Sequence, residues 1–214
     1  MNLFRSLASA AARRLVGPFV PAPRKLPFTH WVHRLEGTCE PELEHIEEIV
    51  ASTGTAVDVG AGSGLYTYAL SQLFEHVCAL DCDEKVTGLI LEYDSRKIQL
   101  IHRFLSDETR AERGGNIRRL DDFELAEVGF IRIDVAGSEM KVLAGAASTI
   151  EKWRPVVLIE LARADVEKAS EWFRHLDYKH CYLEDFNDVH GSASNHIYVP
   201  FERLAYFGIA RPEE

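Results

Sequence analysis

The residues best suited to chemistry form one short run, Asp58-Val59-Gly60-Ala61-Gly62-Ser63-Gly64, between an apolar strand and a helical stretch. Glycines at such a turn let the backbone bend sharply and let a ligand lie directly against the main chain. The spacing is GxGxG, whereas dinucleotide sites carry GxGxxG, which counts against a nicotinamide cofactor. The next strand ends at Asp81, seventeen residues after Gly64. A carboxylate there can accept hydrogen bonds from both hydroxyls of a ribose. No lysine follows the glycines, so a phosphate-cradling P-loop is excluded. An aspartate directly before the turn suits a cationic cofactor better than a pyrophosphate, which points to S-adenosylmethionine. A purely structural turn and a solvated loop acid are the plain alternatives for these two features.

Methyl transfer from a sulfonium needs alignment and exclusion of water more than covalent help. A hydroxyl acceptor also needs a base for its proton. Asp134 and Glu160 are the candidates, each at the C-terminal end of an apolar strand, where open parallel sheets hold their ligands. Helix capping is the competing role for Asp134, and a structural hydrogen bond in the strand for Glu160. Two carboxylates in one pocket could instead hold a divalent metal; the expectation is that no metal is bound. His190 and His196 flank the loop 191–195 and are within reach of the pocket mouth, although a surface histidine is the plainer reading of each. Trp31 and Tyr66 are candidates to cover an acceptor.

These residues need a scaffold that brings strand ends together, and the hydropathy pattern supplies one. Strands are expected at 55–59, 76–80, 98–104, 128–133, 156–161, 178–184 and 196–199, and helices at 40–51, 65–74, 84–94, 138–150 and 165–176. In the first of these helices Leu43, Ile46, Ile49 and Val50 face inward and five glutamates outward. The stretch from Ser106 to Arg119 is polar, and Gly114-Gly115-Asn116 marks a turn or flexible loop. Alternation of strand and helix predicts an α/β fold with a mostly parallel sheet and helices on both faces. The last two strands lack a helix between them, so an antiparallel hairpin is expected at the C-terminal edge.

The chain has 214 residues, 46% hydrophobic and 27% charged, which suits one globular domain with a real core. No apolar run approaches the roughly 20 residues of a spanning helix. Net charge is −10, which argues against binding nucleic acid through bulk electrostatics. That charge is unevenly spread. Six of the 24 basic residues lie in residues 1–35, before the first acid at Glu36, so residues 36–214 hold 18 basic side chains against 34 acidic ones. The expected division is a basic leader over 1–35 and a catalytic domain over 36–214. Residues 2–16 read as an amphipathic helix, after which Pro18, Pro21, Pro23 and Pro27 are expected to stop any helix and form a stiff connector. Three roles for the leader stay open: an accessory helix or lid, a weak contact with an anionic membrane surface, or a transit peptide. Cys39, Cys78, Cys82 and Cys181 lack metal-site spacing and read as reduced structural thiols of a cytoplasmic protein.

The chain resembles class I S-adenosylmethionine-dependent methyltransferases, and within them the FkbM family. The resemblance rests on AVDVGAGSGLYTYAL at 56–70, LDCDEKV at 80–86, FLSDE at 104–108 and LDDF at 120–123. It rests most on FIRIDVAGSEMKVLAGA at 130–146, followed by RPVVLIEL at 154–161. It implies a Rossmann-like, seven-stranded, mostly parallel sheet with an antiparallel C-terminal hairpin. By the same resemblance Asp58, Gly60, Gly62 and Gly64 surround the methionine part and ribose of S-adenosylmethionine. Asp81 holds the ribose hydroxyls, and Ser106 with Asp107 approaches the adenine. The implied reaction is O-methylation of a hydroxyl on a sugar, glycoconjugate or small-molecule acceptor. Two departures stand out: Ala136 replaces the glutamate that the family usually carries between valine and glycine, and Asp81 replaces a more common glutamate. The first supports a rival reading, a catalytically degenerate methyltransferase fold serving as a binding or scaffold module. A nicotinamide-dependent oxidoreductase is a weaker rival.

Overall fold

Apolar runs of five or six residues alternate along the chain with amphipathic stretches, and each run becomes a strand of one central sheet. The structure is a computed structural model, described over residues 12–93, 95–112 and 115–212. Strands β1 (Thr55–Val59), β2 (His76–Asp81) and β3 (Ile98–His102) come first. Strands β4 (Phe104–Leu105), β5 (Arg110–Glu112) and β6 (Gly115–Arg118) follow, then β7 (Val128–Ile133), β8 (Val156–Glu160), β9 (Tyr178–Cys181) and β10 (Asn195–Pro200). The main sheet has seven strands in the order β3-β2-β1-β7-β8-β10-β9. Six strands share one direction, and β10 runs antiparallel to its neighbours β8 and β9, which is the expected C-terminal hairpin. The order reverses between β1 and β7, and the crevice beyond their C-terminal ends is where such sheets bind ligands.

Side chains alternate across the sheet and fill two cores. Val57, Val59, Ile131, Ile133, Val157 and Ile159 pack on one face, and Ala56, Phe130, Val156 and Leu158 on the other. Full burial of each large apolar side chain contributes roughly 1.5–3 kcal/mol, so the strand ends are held on a rigid frame. Helices α1 (Ala22–Glu36), α2 (Pro41–Glu44), α3 (Leu65–Leu73), α4 (Gly88–Glu92), α5 (Glu139–Ala144), α6 (Ala147–Trp153) and α7 (Val166–Arg174) surround it. Among the described residues no helix is long and apolar enough to cross a membrane.

Several expectations are corrected. The proline-rich stretch is no connector: residues 22–36 form α1, the longest helix described. Pro21 and Pro23 fall at its N-terminus, where the missing N–H has no helical partner. Pro27 removes one hydrogen bond, which burial of Leu26 and Val32 offsets. Gly37, at φ 66°, ends the helix in the left-handed conformation that glycine adopts without strain. Most of the predicted 2–16 helix falls on residues 1–11, outside the described residues; Ala12–Val16 form a short π-helical turn.

The 40–51 helix breaks at His45 into α2 and a 3-10 turn, Ile46–Ile49. One of its five glutamates turns inward: Glu42 is buried and accepts hydrogen bonds from the Ser192 N–H at 2.7 Å and Asn195 Nδ2 at 2.9 Å. The 84–94 helix shortens to α4, because the carboxylates of Asp81 and Asp83 bind the backbone N–H groups of Asp83 and Lys85 and hold that loop out of the helix. The 138–150 helix divides at Gly145, where a Cβ would lie 2.1 Å from the Ser106 carbonyl oxygen. The polar stretch 106–119 carries β5 and β6, which pair with each other and, through β6, with β4 as a second, three-stranded sheet; Gly114 of the expected turn lies outside the described residues.

His196 does not approach any pocket mouth. It is buried in β10, and its Nδ1 lies 2.9 Å from Nε2 of His180 among the rings of Tyr182 and Tyr198. His190 is a surface residue beside Glu184. Burial, and then His196, lower His180 from 6.5 to about 4. A histidine that binds its proton more weakly when folded stabilises the protein fully above its unfolded value and loses that contribution as pH falls. Stability is therefore expected to drop between pH 6.5 and about 4, in excess of a His180→Gln variant. Urea midpoints of both proteins at the two ends of that window check this; parallel pH profiles would refute it.

Candidate functional site

The C-terminal ends of β1, β2 and β7 carry the site, and the loop after β1 is shaped for close approach. Gly60, Gly62 and Gly64 all have positive φ, 83°, 52° and 89°. A Cβ at Gly60 would lie 1.7 Å from the carbonyl oxygen of Asp134, so this residue lets the loops after β1 and β7 touch. Gly64 begins α3 and packs against Ile90 and Leu26, away from solvent. Asp81, at the end of β2, clamps the loop: its Oδ2 accepts the Gly62 N–H at 2.8 Å while Oδ1 accepts that of Asp83 at 2.8 Å.

Two cavities adjoin here and share Gly60, Gly62 and Asp134 as walls. The first, about 320 Å³, lies between the ends of β1 and β2 and the Phe104 segment, with Val59, Leu80, Leu105 and Val135 as apolar walls and Asp81 at one side. The second, about 220 Å³, is closed by Thr38, Cys39 and Glu40 beyond α1 and by Tyr66 and Arg132. Of the expected cofactor residues, Gly60, Gly62 and Asp81 line the first cavity. Phe104 and Leu105 line it in place of Ser106 and Asp107, whose side chains bond each other at 2.9 Å.

Asp58 lines neither cavity. It is fully buried behind the glycine loop, accepting from Thr67 Oγ1 at 2.6 Å and from Arg132 at 3.0 Å. Arg132 is the centre of this network and was not singled out in the sequence. One of its nitrogens also donates to the Gly60 carbonyl at 3.1 Å, the other donates to Asp134 at 2.5 Å, and its guanidinium stacks over Tyr66 at 4.1 Å. The signal for it was present: a single arginine inside the apolar strand Val-Gly-Phe-Ile-Arg-Ile must be buried, and a buried charge needs partners. Burial alone would lower its pKa, but Asp58 and Asp134 outweigh this and raise it.

The structure brings Asp134 and Glu160 near enough for their carboxyl groups to interact. Burial raises the Asp134 pKa; Arg132 opposes the rise and Glu160 adds to it. Such a carboxyl group holds its proton to a higher pH than an ordinary aspartate. Glu139 shapes the next turn, accepting the Gly137 N–H at 2.8 Å and that of Val135 at 3.4 Å. That turn holds Ala136, a non-glycine residue at φ 50°, on the rim of the first cavity. The four cysteines are free thiols, and among the described residues no cluster of three or more His, Cys, Asp or Glu is arranged to hold a metal.

Known proteins share this architecture. The structure of an FkbM methyltransferase from Methylobacillus flagellatus superposes with a TM-score of 0.58 at 18% identity, over 89% of this chain and 60% of that one. The chain thus spans about 60% of the length of that relative. Precorrin 8w decarboxylase from Methanobacterium thermoautotrophicum superposes with a TM-score of 0.51 at 14% identity, over 73% of this chain and 87% of that one. No curated protein matches the sequence significantly. Residues 28–181 match the family described as the methyltransferase FkbM domain, and with the class I sheet order and glycine turn in place, this chain belongs to the FkbM methyltransferase family.

Proposed function

We propose that the protein is an S-adenosylmethionine-dependent methyltransferase that methylates a hydroxyl of a sugar, glycoconjugate or small-molecule acceptor. The observation that carries this reading is the pair of adjoining cavities with Asp134 in their common wall. The residues of the first cavity fit the cofactor: Gly62 leaves space where a Cβ would stand, apolar walls suit a flat base, and Asp81 offers carboxylate oxygens to a ribose. When bound, the cofactor supplies an electrophilic methyl group on a positively charged sulfur.

The chain's own residues do the rest. Val59, Leu80, Leu105 and Val135 exclude water from the first cavity. Arg132, anchored by Asp58 and stacked on Tyr66, fixes the Asp134 carboxylate at the junction of the two spaces. Asp134 accepts the acceptor's hydroxyl proton, and Glu160 beside it favours uptake of that proton. Asp58 acts through Arg132 and is a positioning residue. Ala136 on the rim is the feature that favours the rival scaffold reading, because it removes one carboxylate from this wall.

Calorimetric titration with adenosylhomocysteine tests the cofactor half of the proposal; folded, ligand-free protein that binds none would refute it. Asp134→Asn is expected to slow methyl transfer by roughly 10²–10⁴-fold, the usual contribution of a positioned base. Asp134 works as a carboxylate, so the wild-type rate falls as pH drops through its raised pKa, and the variant lacks this acid limb. A variant with unchanged rate and the same acid limb would remove Asp134 from the proton's path.

A further inference from the structure

One carboxylate in the wall of the second cavity, that of Glu40, is only half engaged by protein donors. Tyr66 Oη donates to Oε2 of Glu40 at 2.8 Å, and Asn195 Nδ2 donates to the same oxygen at 3.0 Å. Oε1 of Glu40 is left without a partner among the described residues. Two other polar side chains of the wall, Arg132 and His33, are engaged within the protein. Arg132 is spent on Asp58, Gly60 and Asp134, and His33 Nδ1 lies 2.8 Å from Thr38 Oγ1. The second oxygen of Glu40 thus remains to accept from a ligand.

Charge tells the same story. The guanidinium of Arg132 pairs with two carboxylates, Asp58 and Asp134, while Glu40 adds a third to the cavity wall and Glu42 shares Asn195 with it. Low-dielectric walls lined by one sign of charge focus the field and change local ion concentration by roughly 10–10³-fold.

Resting on the methyltransferase reading above, we infer that this cavity is the acceptor subsite and that it selects by charge. It takes a hydrogen-bond-donating group that is neutral or cationic and rejects anionic acceptors, with Glu40 setting the selection. The wall that selects comes from the segment between α1 and α2, ahead of the sheet, and not from the cofactor loops. Cys39 lies in that wall as a natural reporter. Its thiol is pushed up to about 11 by burial, then by Glu44, with Glu40 adding to the rise against an opposing effect of Arg34.

The experiment measures the rates at which Cys39 reacts with two methanethiosulfonates of similar size, trimethylammonioethyl (cationic) and sulfonatoethyl (anionic). Peptide mass spectrometry reads them in folded protein and in the same protein unfolded in urea. The cation-to-anion rate ratio is expected to be about tenfold or more higher in the folded state, and to fall several-fold in Glu40→Gln. Equal ratios in folded and unfolded wild type, or a folded Glu40→Gln variant with the wild-type ratio, would overturn the selectivity. Protein carrying the cationic adduct on Cys39 is expected to bind adenosylhomocysteine with affinity within a few-fold of unmodified protein. Loss of that binding would make the cavity part of the cofactor site and overturn its assignment to the acceptor. If unmodified protein binds no adenosylhomocysteine, the methyltransferase reading fails and the acceptor assignment with it, whatever the charge ratio.

Discussion

Arg132→Met is expected to destabilise the fold by about 3–5 kcal/mol, the usual cost of removing one partner from a buried ion pair. Asp58 is fully buried, and without Arg132 its carboxylate keeps, among the described residues, only the Thr67 hydroxyl as a side-chain partner. The Gly60 carbonyl and Asp134 each lose a donor at the same time. Methionine fills much of the space and can still lie on Tyr66, so the loss reports charge and hydrogen bonding more than volume. For a chain of this size the melting temperature should fall by roughly 6–20 °C. Urea unfolding gives the free energy directly, and the double variant Asp58→Asn with Arg132→Met should recover a substantial part of it, because no charge is then left buried alone. A loss under about 1 kcal/mol in the single variant would show that water or rearranged neighbours satisfy Asp58, contrary to the network described.

Asp81→Ala is expected to weaken adenosylhomocysteine binding by roughly 100-fold, about 3 kcal/mol, if two ribose hydroxyls donate to this carboxylate. The same oxygens hold the Gly62 and Asp83 N–H groups, so part of the loss comes from a looser glycine loop. Asp81→Asn separates the two contributions, since its amide oxygen keeps one loop contact while the charge is lost. Calorimetry on variants first shown to be folded makes the comparison. Wild-type affinity in folded Asp81→Ala would contradict the ribose role and leave Asp81 as a loop clamp only.

The parts of the site that were legible in the sequence are those whose physics is local. A strand of Thr-Ala-Val-Asp-Val running into glycines with positive φ is a turn almost regardless of what surrounds it, and the same holds for Asp81 at the end of its strand. The buried strands β1, β7 and β8 were read to within a residue, because continuous β-branched runs have few other stable settings. Elements that depend on distant partners were misread. The 40–51 helix looked amphipathic with five outward glutamates, yet Glu42 turns inward to satisfy Ser192 and Asn195, more than 140 residues away in the chain. Prolines argue against a helix at 22–36 only while burial of Leu26 and Val32 is left out. His196 gives no sign in the sequence that it pairs with His180 in place of a ligand.

The sequence by itself determined the class of fold, the glycine turn, and the placing of acids at the ends of β2, β7 and β8. All of these follow from hydropathy period and short-range backbone preference. Only the tertiary structure decided what each acid does. It withdrew Asp58 into the core, set Arg132 between Asp58 and Asp134, and brought Glu40 from the leading segment to the wall of the second cavity. The reason is that a charged side chain takes its role from its desolvation and from the partners within a few ångströms. In this chain those partners come from segments far apart in sequence.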